Sequence, residues 1–321
     1  MIKLFFVLLL ASPVVRAHPG VGIVKDTRGN VYYTDLQQVW KISNGTRKVV
    51  VPNVHSHELY ISPNDDLYGE NETYDDKANK FFHYLWVYHP NGQLDTLVGK
   101  KEAYIDQDFS LSRDDAGNEY YIKQFLVRPD TTHIFLKSGN GAESILASGK
   151  FKGITWLHPQ AGGSLLYALN NAIYRVDTRG NVHLVKDSIG NTVSSFGFSR
   201  KSITIWGIWE DKEQNIYVAV FSDQTVKRID KQGRLSNYYR SKGNWAPLHG
   251  VFDNDNKLWL MEGSDQNEVR VALANSHSSL PMASNKSYRN IYMVASVLAL
   301  GIVLYYFRFK WSNQNNSGKL V

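Results

Sequence analysis

Short apolar runs and polar turns alternate along most of the chain in a repeating order. Six times, an apolar run meets a turn rich in Asp, Asn and Gly, and a second run of β-forming residues follows at once. The turns begin at Lys25, Ser62, Arg113, His158, Glu210 and Asp253, and the runs after them read VYYTD, LYGEN, EYYIK, LLYAL, IYVAV and LWLME. This pattern predicts antiparallel strands joined by tight turns.

A second class of turn divides each repeat again. Asn-Gly and similar pairs, which tolerate the positive φ of a tight hairpin, occur in SNGT, HPNGQ, SGNGA, DTRGN and DKQGR. A third β-rich run precedes each of these turns, and a fourth follows it. We therefore expect four strands per repeat, named A to D in chain order. The sixth repeat shows only A, B and a C-like run, and its outer strand is either missing or supplied from elsewhere.

Repeats spaced by about 35 to 50 residues, each with internal hairpins, are typical of a β-propeller. The sequence thus predicts an all-β, six-bladed β-propeller in which strand A of every blade faces a central channel. A β-sandwich or two small barrels is the alternative for so many short strands. The two-turn unit recurs in the same internal order, which favours the propeller.

Both ends of the chain differ from the repeats. Residues 1–17 carry Lys3, an apolar run and a VRA cleavage site, which predicts a secretory signal peptide. Residues 290–307 contain an apolar run without charge, at the short limit for a transmembrane helix, and Arg308 and Lys310 follow it. We expect a propeller at 18–274, a linker at 275–289, the transmembrane helix at 290–307 and a short cytoplasmic tail at 308–321. The propeller would then lie outside the cytoplasm, periplasmic or extracellular, on a single-pass membrane anchor.

The composition excludes disulfide bonds as a source of stability and argues against nucleic acid as a partner. The 321 residues include no cysteine, so an exported domain cannot rely on disulfides and must bury a large core. The formal net charge is +6, but Lys and Arg alternate with Asp and Glu without forming a basic stripe. Nucleic acid is therefore not an expected partner.

The topology predicts where a functional site would lie. Strands A and B are antiparallel, so the starts of the A strands and the ends of the B strands surround the same mouth of the channel. The A starts carry His57, Glu58, Asp108, Trp156, Trp206 and His249, and the B ends carry Asp35, Glu70, Lys123, Asn170, Ser222 and Glu262. The alternative is that such polar residues only form hydrogen bonds with the backbone at the strand ends and bind water.

These residue types support three roles. His, Asp and Glu bind divalent cations, so one divalent cation, Ca, Mg or Zn, is the candidate cofactor, and no cofactor is the alternative. Without a metal, a histidine beside a carboxylate would act as a general base, because imidazole titrates near neutral pH. Tryptophan rings would stack on a sugar or peptide. The predicted metal ligands are Glu58, Asp108, His57 and His249; the predicted catalytic residues are His249, His57 and Glu262; and the predicted ligand-binding residues are Trp206, Trp156, Asp35 and Glu70.

The segment PLHGVFDNDNKLWLMEG (247–263) resembles the blade unit of NHL-repeat, gluconolactonase-like (senescence-marker-type) and streptogramin-lyase-like propellers, and residues 20–35 and 206–220 resemble it too. Gluconolactonase-like enzymes hold a divalent metal with Glu, Asn and Asp at inner-strand starts, and Glu58 is similar to one of these positions. Trp206 and His249 stand where that pattern has Asn or Asp. Streptogramin-lyase-like blades act with Mg²⁺ and carry a His-Gly and a Glu, which resemble His249-Gly250 and Glu262.

Two functions follow as hypotheses. The first is a membrane-anchored extracytoplasmic propeller that binds a small molecule, glycan or protein partner at the channel mouth. The alternative is a metal-dependent hydrolase or lyase of the lactone or ester type, with its His, Glu and Asp residues in the channel.

Overall fold

Antiparallel pairing organises the whole propeller. The computed structural model describes residues 21–103, 109–123, 130–190, 205–264 and 268–274, and in these ranges it contains six antiparallel sheets. The first sheet consists of β1 (Ile23–Lys25), β2 (Val31–Thr34), β3 (Gln38–Ser43) and β4 (Thr46–Pro52), and the second of β5 (Leu59–Ile61), β6 (Leu67–Asp75), β7 (Lys80–Tyr88) and β8 (Leu94–Glu102).

The third sheet consists of β9 (Glu119–Lys123), β10 (Asp130–Lys137) and β11 (Glu143–Ser148), and the fourth of β12 (Ile154–Pro159), β13 (Leu165–Leu169), β14 (Ala172–Val176) and β15 (Val182–Lys186). The fifth consists of β16 (Ile205–Glu210), β17 (Ile216–Val220), β18 (Thr225–Ile229) and β19 (Leu235–Arg240), and the sixth of β20 (Trp245–Phe252), β21 (Leu258–Ser264) and β22 (Val269–Leu273). Where strand A of the third blade is expected, Arg113 forms one isolated bridge with Glu119. Among the described residues, no strand pairs with the outer edge of β22.

The sheets pack side by side around one ring. β1 contacts β5 of the next blade and β20 of the last blade, and β12 and β16 continue the inner circle towards β20. Apolar residues of the first and sixth blades, including Ile23 and Leu248, form one buried cluster. Leu85, Phe109 and Leu111 join the second blade to the third. The prediction of an all-β, six-bladed β-propeller is therefore confirmed.

One aspartate organises each of several A–B turns and explains the repeat in the sequence. In the fifth blade, Asp211 accepts hydrogen bonds from the backbone N–H of Asn215 at 2.9 Å, from its side-chain Nδ2 at 2.7 Å and from the Tyr217 hydroxyl at 2.9 Å. Asp26 and Asp114 accept from residues at the same spacing. The spacing of Asp, Asn and an aromatic residue thus satisfies the buried polar groups of the turn internally.

The predictions for the two ends of the chain concern residues outside the described ranges. The signal peptide (1–17), the linker (275–289), the transmembrane helix (290–307) and the tail (308–321) all fall there. Across the described part of the chain, no helix has the length and apolar character needed to cross a bilayer. The export and anchoring of the propeller stay predictions.

Candidate functional site

A central channel runs along the axis of the ring. Its cavity measures about 470 Å³ and is lined by residues of β1, β5, β12, β16 and β20 together with residues 111–113 of the third blade. Every blade therefore contributes its innermost segment to one space, as strand A of a propeller should.

A smaller cavity, which we name the acidic pocket, lies between the second, third and fourth blades. It measures about 270 Å³. Its lining consists of Glu58, Glu70, residues 109–112, residues 120–122 and residues 154–157. Glu58 and Trp156 line both the acidic pocket and the central channel. The pocket is thus built on the channel wall, where the sequence places the site.

The pairing of β5 with β6 sets the two carboxylates side by side. Leu59 lies opposite Gly69 in the antiparallel register, so Glu58, just before β5, stands beside Glu70. The backbone carbonyl of Glu70 accepts hydrogen bonds from the Trp86 indole N–H, at 3.0 Å, and from the Ser56 hydroxyl. These bonds fix the strand at Glu70 and leave its side chain directed into the pocket lining.

Gly69 is required for this arrangement. A Cβ at position 69 would lie 2.1 Å from Cζ2 of Trp86, far inside van der Waals contact. Trp86 is itself 1% exposed, so its ring has no room to move away. The glycine therefore lets the indole approach the backbone and hold Glu70 in place.

The two carboxyl groups are electrostatically uncompensated. Burial, followed by the negative charges of Glu58 and Glu72, raises the pKa of Glu70 to about 8. Burial likewise raises the pKa of Glu58. Neither carboxyl group has a hydrogen bond or ion pair with another described residue, and the described lining of the acidic pocket includes no Lys, Arg or His. The pair therefore retains a proton at neutral pH.

His249 bridges three blades from its position on β20. Its Nδ1 lies 3.1 Å from the carbonyl oxygen of Val21 and its Nε2 lies 3.3 Å from that of Ile208. The ring packs against Trp156 and Trp209, with centroids 4.8 and 5.6 Å away. Burial and the nearby His158 lower its pKa to about 4. His249 is thus neutral at physiological pH, and both ring nitrogens face backbone oxygens of neighbouring blades.

His57 joins the first two blades at the mouth of the channel. Its carbonyl oxygen accepts hydrogen bonds from the backbone N–H groups of Val21 and Gly22, at 2.8 and 3.0 Å. Its ring Nε2 lies 3.1 Å from Nε2 of His55, which the sequence interpretation did not select. The chain therefore carries an imidazole pair directly before Glu58.

The side chains of Glu262 and Asp35 form hydrogen bonds and ion pairs with residues of their own blades. Glu262 is completely buried, and its Oε2 contacts Nε and Nη2 of Arg270 at 2.7 and 2.6 Å. The Arg270 guanidinium in turn lies 4.3 Å above the Trp245 ring. Asp35 closes the β2–β3 turn by accepting from two backbone N–H groups and from the Trp40 indole at 2.8 Å. Both carboxylates are thus held by contacts within their own blades.

Of the predicted site residues, the structure brings Glu58, Glu70 and Trp156 together in the acidic pocket, with His57 adjacent in sequence. His249 reaches the same region through Trp156, whereas Trp206 packs against Phe221 at 5.9 Å. Asp108 lies outside the described residues. Within the described ranges, no three His, Asp or Glu side chains converge so as to hold a metal. The divalent cation therefore stays a prediction.

The sequence interpretation did not select the residues of the third blade that line the acidic pocket. Phe109, Ser110 and Ser112 line the acidic pocket, and the Ser110 hydroxyl donates to the Tyr120 carbonyl at 2.9 Å. The run FSLS follows Asp108 directly, at the expected start of strand A. Its alternating serines were the available signal, because alternate residues of an inner segment face the same side.

Comparison with known proteins identifies the fold. No protein-family model and no curated protein sequence matches the chain. Among solved structures, a luciferin-regenerating enzyme matches with a TM-score of 0.53 at 13% identity, over 83% of this chain and 94% of that one. An auxiliary nutrient binding protein from Bacteroides thetaiotaomicron matches with a TM-score of 0.53 at 10% identity, over 80% and 69%. A streptogramin B lyase matches with a TM-score of 0.47 at 13% identity, over 81% and 86%.

At these identities, the likeness concerns the fold alone. The luciferin-regenerating enzyme and the nutrient binding protein share the arrangement of strands with this chain over most of its length. The six-bladed architecture implied by the resemblance of the blade units is thereby confirmed.

Proposed function

We propose that the protein is an extracytoplasmic, membrane-anchored propeller that binds a small polar molecule in the acidic pocket at the channel mouth. The observation that carries this proposal is the pair Glu58 and Glu70, which lines a cavity of about 270 Å³ without a charge partner among the described residues. Two uncompensated carboxyl groups destabilise a folded protein, and perturbed groups of this kind cluster at functional sites.

The dimensions of the pocket favour a small ligand. Its volume of about 270 Å³ is just below the range of about 300–1,000 Å³ typical of ligand pockets. The lining combines aromatic residues with the hydroxyl groups of Ser110, Ser112 and Thr155. Two propellers of similar fold are auxiliary nutrient binding proteins, from B. thetaiotaomicron and B. ovatus, which supports a binding role for this one.

A fragment screen by ligand-observed NMR on the purified protein tests the proposal. We expect hits that lose binding in the double variant Glu58→Gln/Glu70→Gln and keep it in Glu213→Gln, because Glu213 lies on an exposed turn of the fifth blade. Circular dichroism of all three proteins checks that the fold is intact. Hits that bind the double variant as well as the wild type would place the binding site elsewhere and refute the proposal.

A hydrolase or lyase acting on an ester or lactone is the second candidate. It is favoured by Glu70, since a carboxyl group whose pKa is about 8 holds a proton near neutral pH and donates it as a general acid. The measurement is turnover of an ester and lactone panel, after chelation and again with Ca²⁺, Mg²⁺ or Zn²⁺. Activity that survives in Glu70→Gln would exclude this role for Glu70.

A further inference from the structure

The described lining of the acidic pocket contains two carboxyl groups and no positively charged side chain to balance them. Glu58 and Glu70 are partly buried in the pocket wall, and the described lining of the pocket includes no basic side chain. Both line the cavity, so each reaches the space where a ligand would sit. An occupant of opposite charge would stabilise both carboxylates at once.

We propose that this occupant is a small organic ammonium ion, a primary amine carried on a short aromatic body. The inference rests on the proposed binding function and names the chemical class of its ligand. A protonated primary amine has three N–H donors and no acceptor. Two of the donors satisfy Glu58 and Glu70, and the third fits a hydroxyl oxygen of the lining, such as those of Ser112 and Thr155.

The remaining lining suits the body of such a molecule. Phe109 and Trp156 contribute aromatic surface beside the carboxyl groups, and Leu111, Ile122 and Leu157 contribute aliphatic surface. Aromatic rings attract organic cations by cation–π interaction and pack against an aromatic ligand. A pocket that combines both features therefore recognises the charged and the apolar ends of one small molecule.

A metal ion and a neutral polyol fit the described lining less well. Ca²⁺ takes six to eight oxygen ligands and Zn²⁺ about four, whereas the apolar residues of this pocket supply no ligands. Among the described residues, no group of three His, Asp or Glu is assembled there. A neutral polyol would leave the carboxylate charges uncompensated.

Among the described residues that line the acidic pocket, no side chain supplies a positive charge. The titratable groups around Glu70 are Glu58 before β5, Glu72 on β6, and Tyr120 and Tyr121 on β9. The Tyr120 and Tyr121 hydroxyls donate to Asp114 and Glu143, away from the carboxyl pair, and they titrate well above neutral pH. The described lining therefore leaves the positive charge to be supplied by the ligand.

Isothermal titration calorimetry with matched charged and neutral probes tests the inference. Benzylamine and phenethylamine are compared with benzyl alcohol and phenethyl alcohol, which have the same shape without the charge. On the wild type we expect each amine to bind at least about tenfold more tightly than its alcohol, which corresponds to about 1.4 kcal/mol. This preference should vanish in Glu58→Gln/Glu70→Gln and persist in Glu213→Gln.

The outcomes separate the two proposals. If alcohols bind as tightly as amines, or if the double variant keeps the preference, the ligand class is wrong while small-molecule binding at the pocket stands. If Ca²⁺ or Zn²⁺ binds at the carboxyl pair and neither amine does, the pocket is a metal site and the inference is overturned. If neither the amines, the alcohols nor the fragment library bind, both proposals fail.

Discussion

The ionisation of Glu70 makes the stability of the protein depend on pH in an unusual direction. In the folded state its pKa is about 8, because of burial and the charges of Glu58 and Glu72. In the unfolded chain a glutamate has a pKa of about 4.3. Between these values the folded state keeps a proton that the unfolded state has lost. The free energy of unfolding therefore falls as the pH rises from about 4.3 to 8.

The size of this effect follows from the shift. Within this window the free energy of unfolding falls by about 1.4 kcal/mol for each pH unit. Between pH 5 and pH 7 it therefore falls by about 3 kcal/mol at most. Glu70 is only partly buried, so screening by solvent reduces this change, and we expect roughly 1.5 to 3 kcal/mol. Glu70→Gln removes the titration. Its free energy of unfolding should therefore exceed that of the wild type by a margin that grows over these two pH units.

Urea denaturation of wild type, Glu70→Gln and Glu213→Gln at pH 5, 6, 7 and 8 measures this margin. The comparison between variants is needed because another group titrates with the opposite slope in this range. Burial and the nearby His158 lower the pKa of His249 to about 4, so near pH 5 to 6 the unfolded chain binds a proton that the folded state does not. Glu213→Gln should follow the wild type at every pH. A Glu70→Gln curve that runs parallel to the wild type would show that Glu70 is ionised normally, and the argument for an uncompensated pair would fail.

Two further predictions concern the fold that holds the site. Asp211→Ala leaves three buried donors without their acceptor and should lower the free energy of unfolding by about 2 to 4 kcal/mol. Asp177→Ala, in an exposed turn, should lower it by clearly less, and urea melts that show equal losses would contradict this reasoning. Gly69→Ala places a Cβ against Trp86 and should lower the free energy of unfolding by at least about 1 to 3 kcal/mol. At Gly99 an added Cβ meets nothing within 4 Å, so Gly99→Ala should change the free energy of unfolding by no more than about 0.5 kcal/mol in the same urea melts. A Gly69→Ala protein as stable as Gly99→Ala would contradict the close contact with Trp86.

The sequence predicts the architecture well because the blade is a local unit. Each turn is held by residues four to six positions apart, as Asp211, Asn215 and Tyr217 illustrate, so the pattern is visible in one short segment. The placement of Glu58, Glu70 and Trp156 at one mouth follows from strand direction alone. These parts need no knowledge of how the blades pack.

The roles of single side chains depend on packing between blades and are not visible in the sequence. His249 faces the carbonyl oxygens of Val21 and Ile208, which lie 228 and 41 residues away in the chain. These contacts of His249 come from neighbouring blades and could not be predicted from the residues around it in the sequence. Glu262 lies opposite Arg270 in the β21–β22 register, and that hairpin pairing could have been anticipated.

Closure of the ring between the first and last blades has a consequence for synthesis. The Nζ of Lys25 donates to Asn254 at 2.9 Å across a separation of 229 residues. At about 5–20 residues per second, a ribosome needs roughly 10–50 s to make that stretch. Throughout this interval, the apolar flank of the nascent first blade has no neighbour to cover it. A chain stalled before β20 should thus be a target for chaperones and proteases, even though five of its blades are already complete.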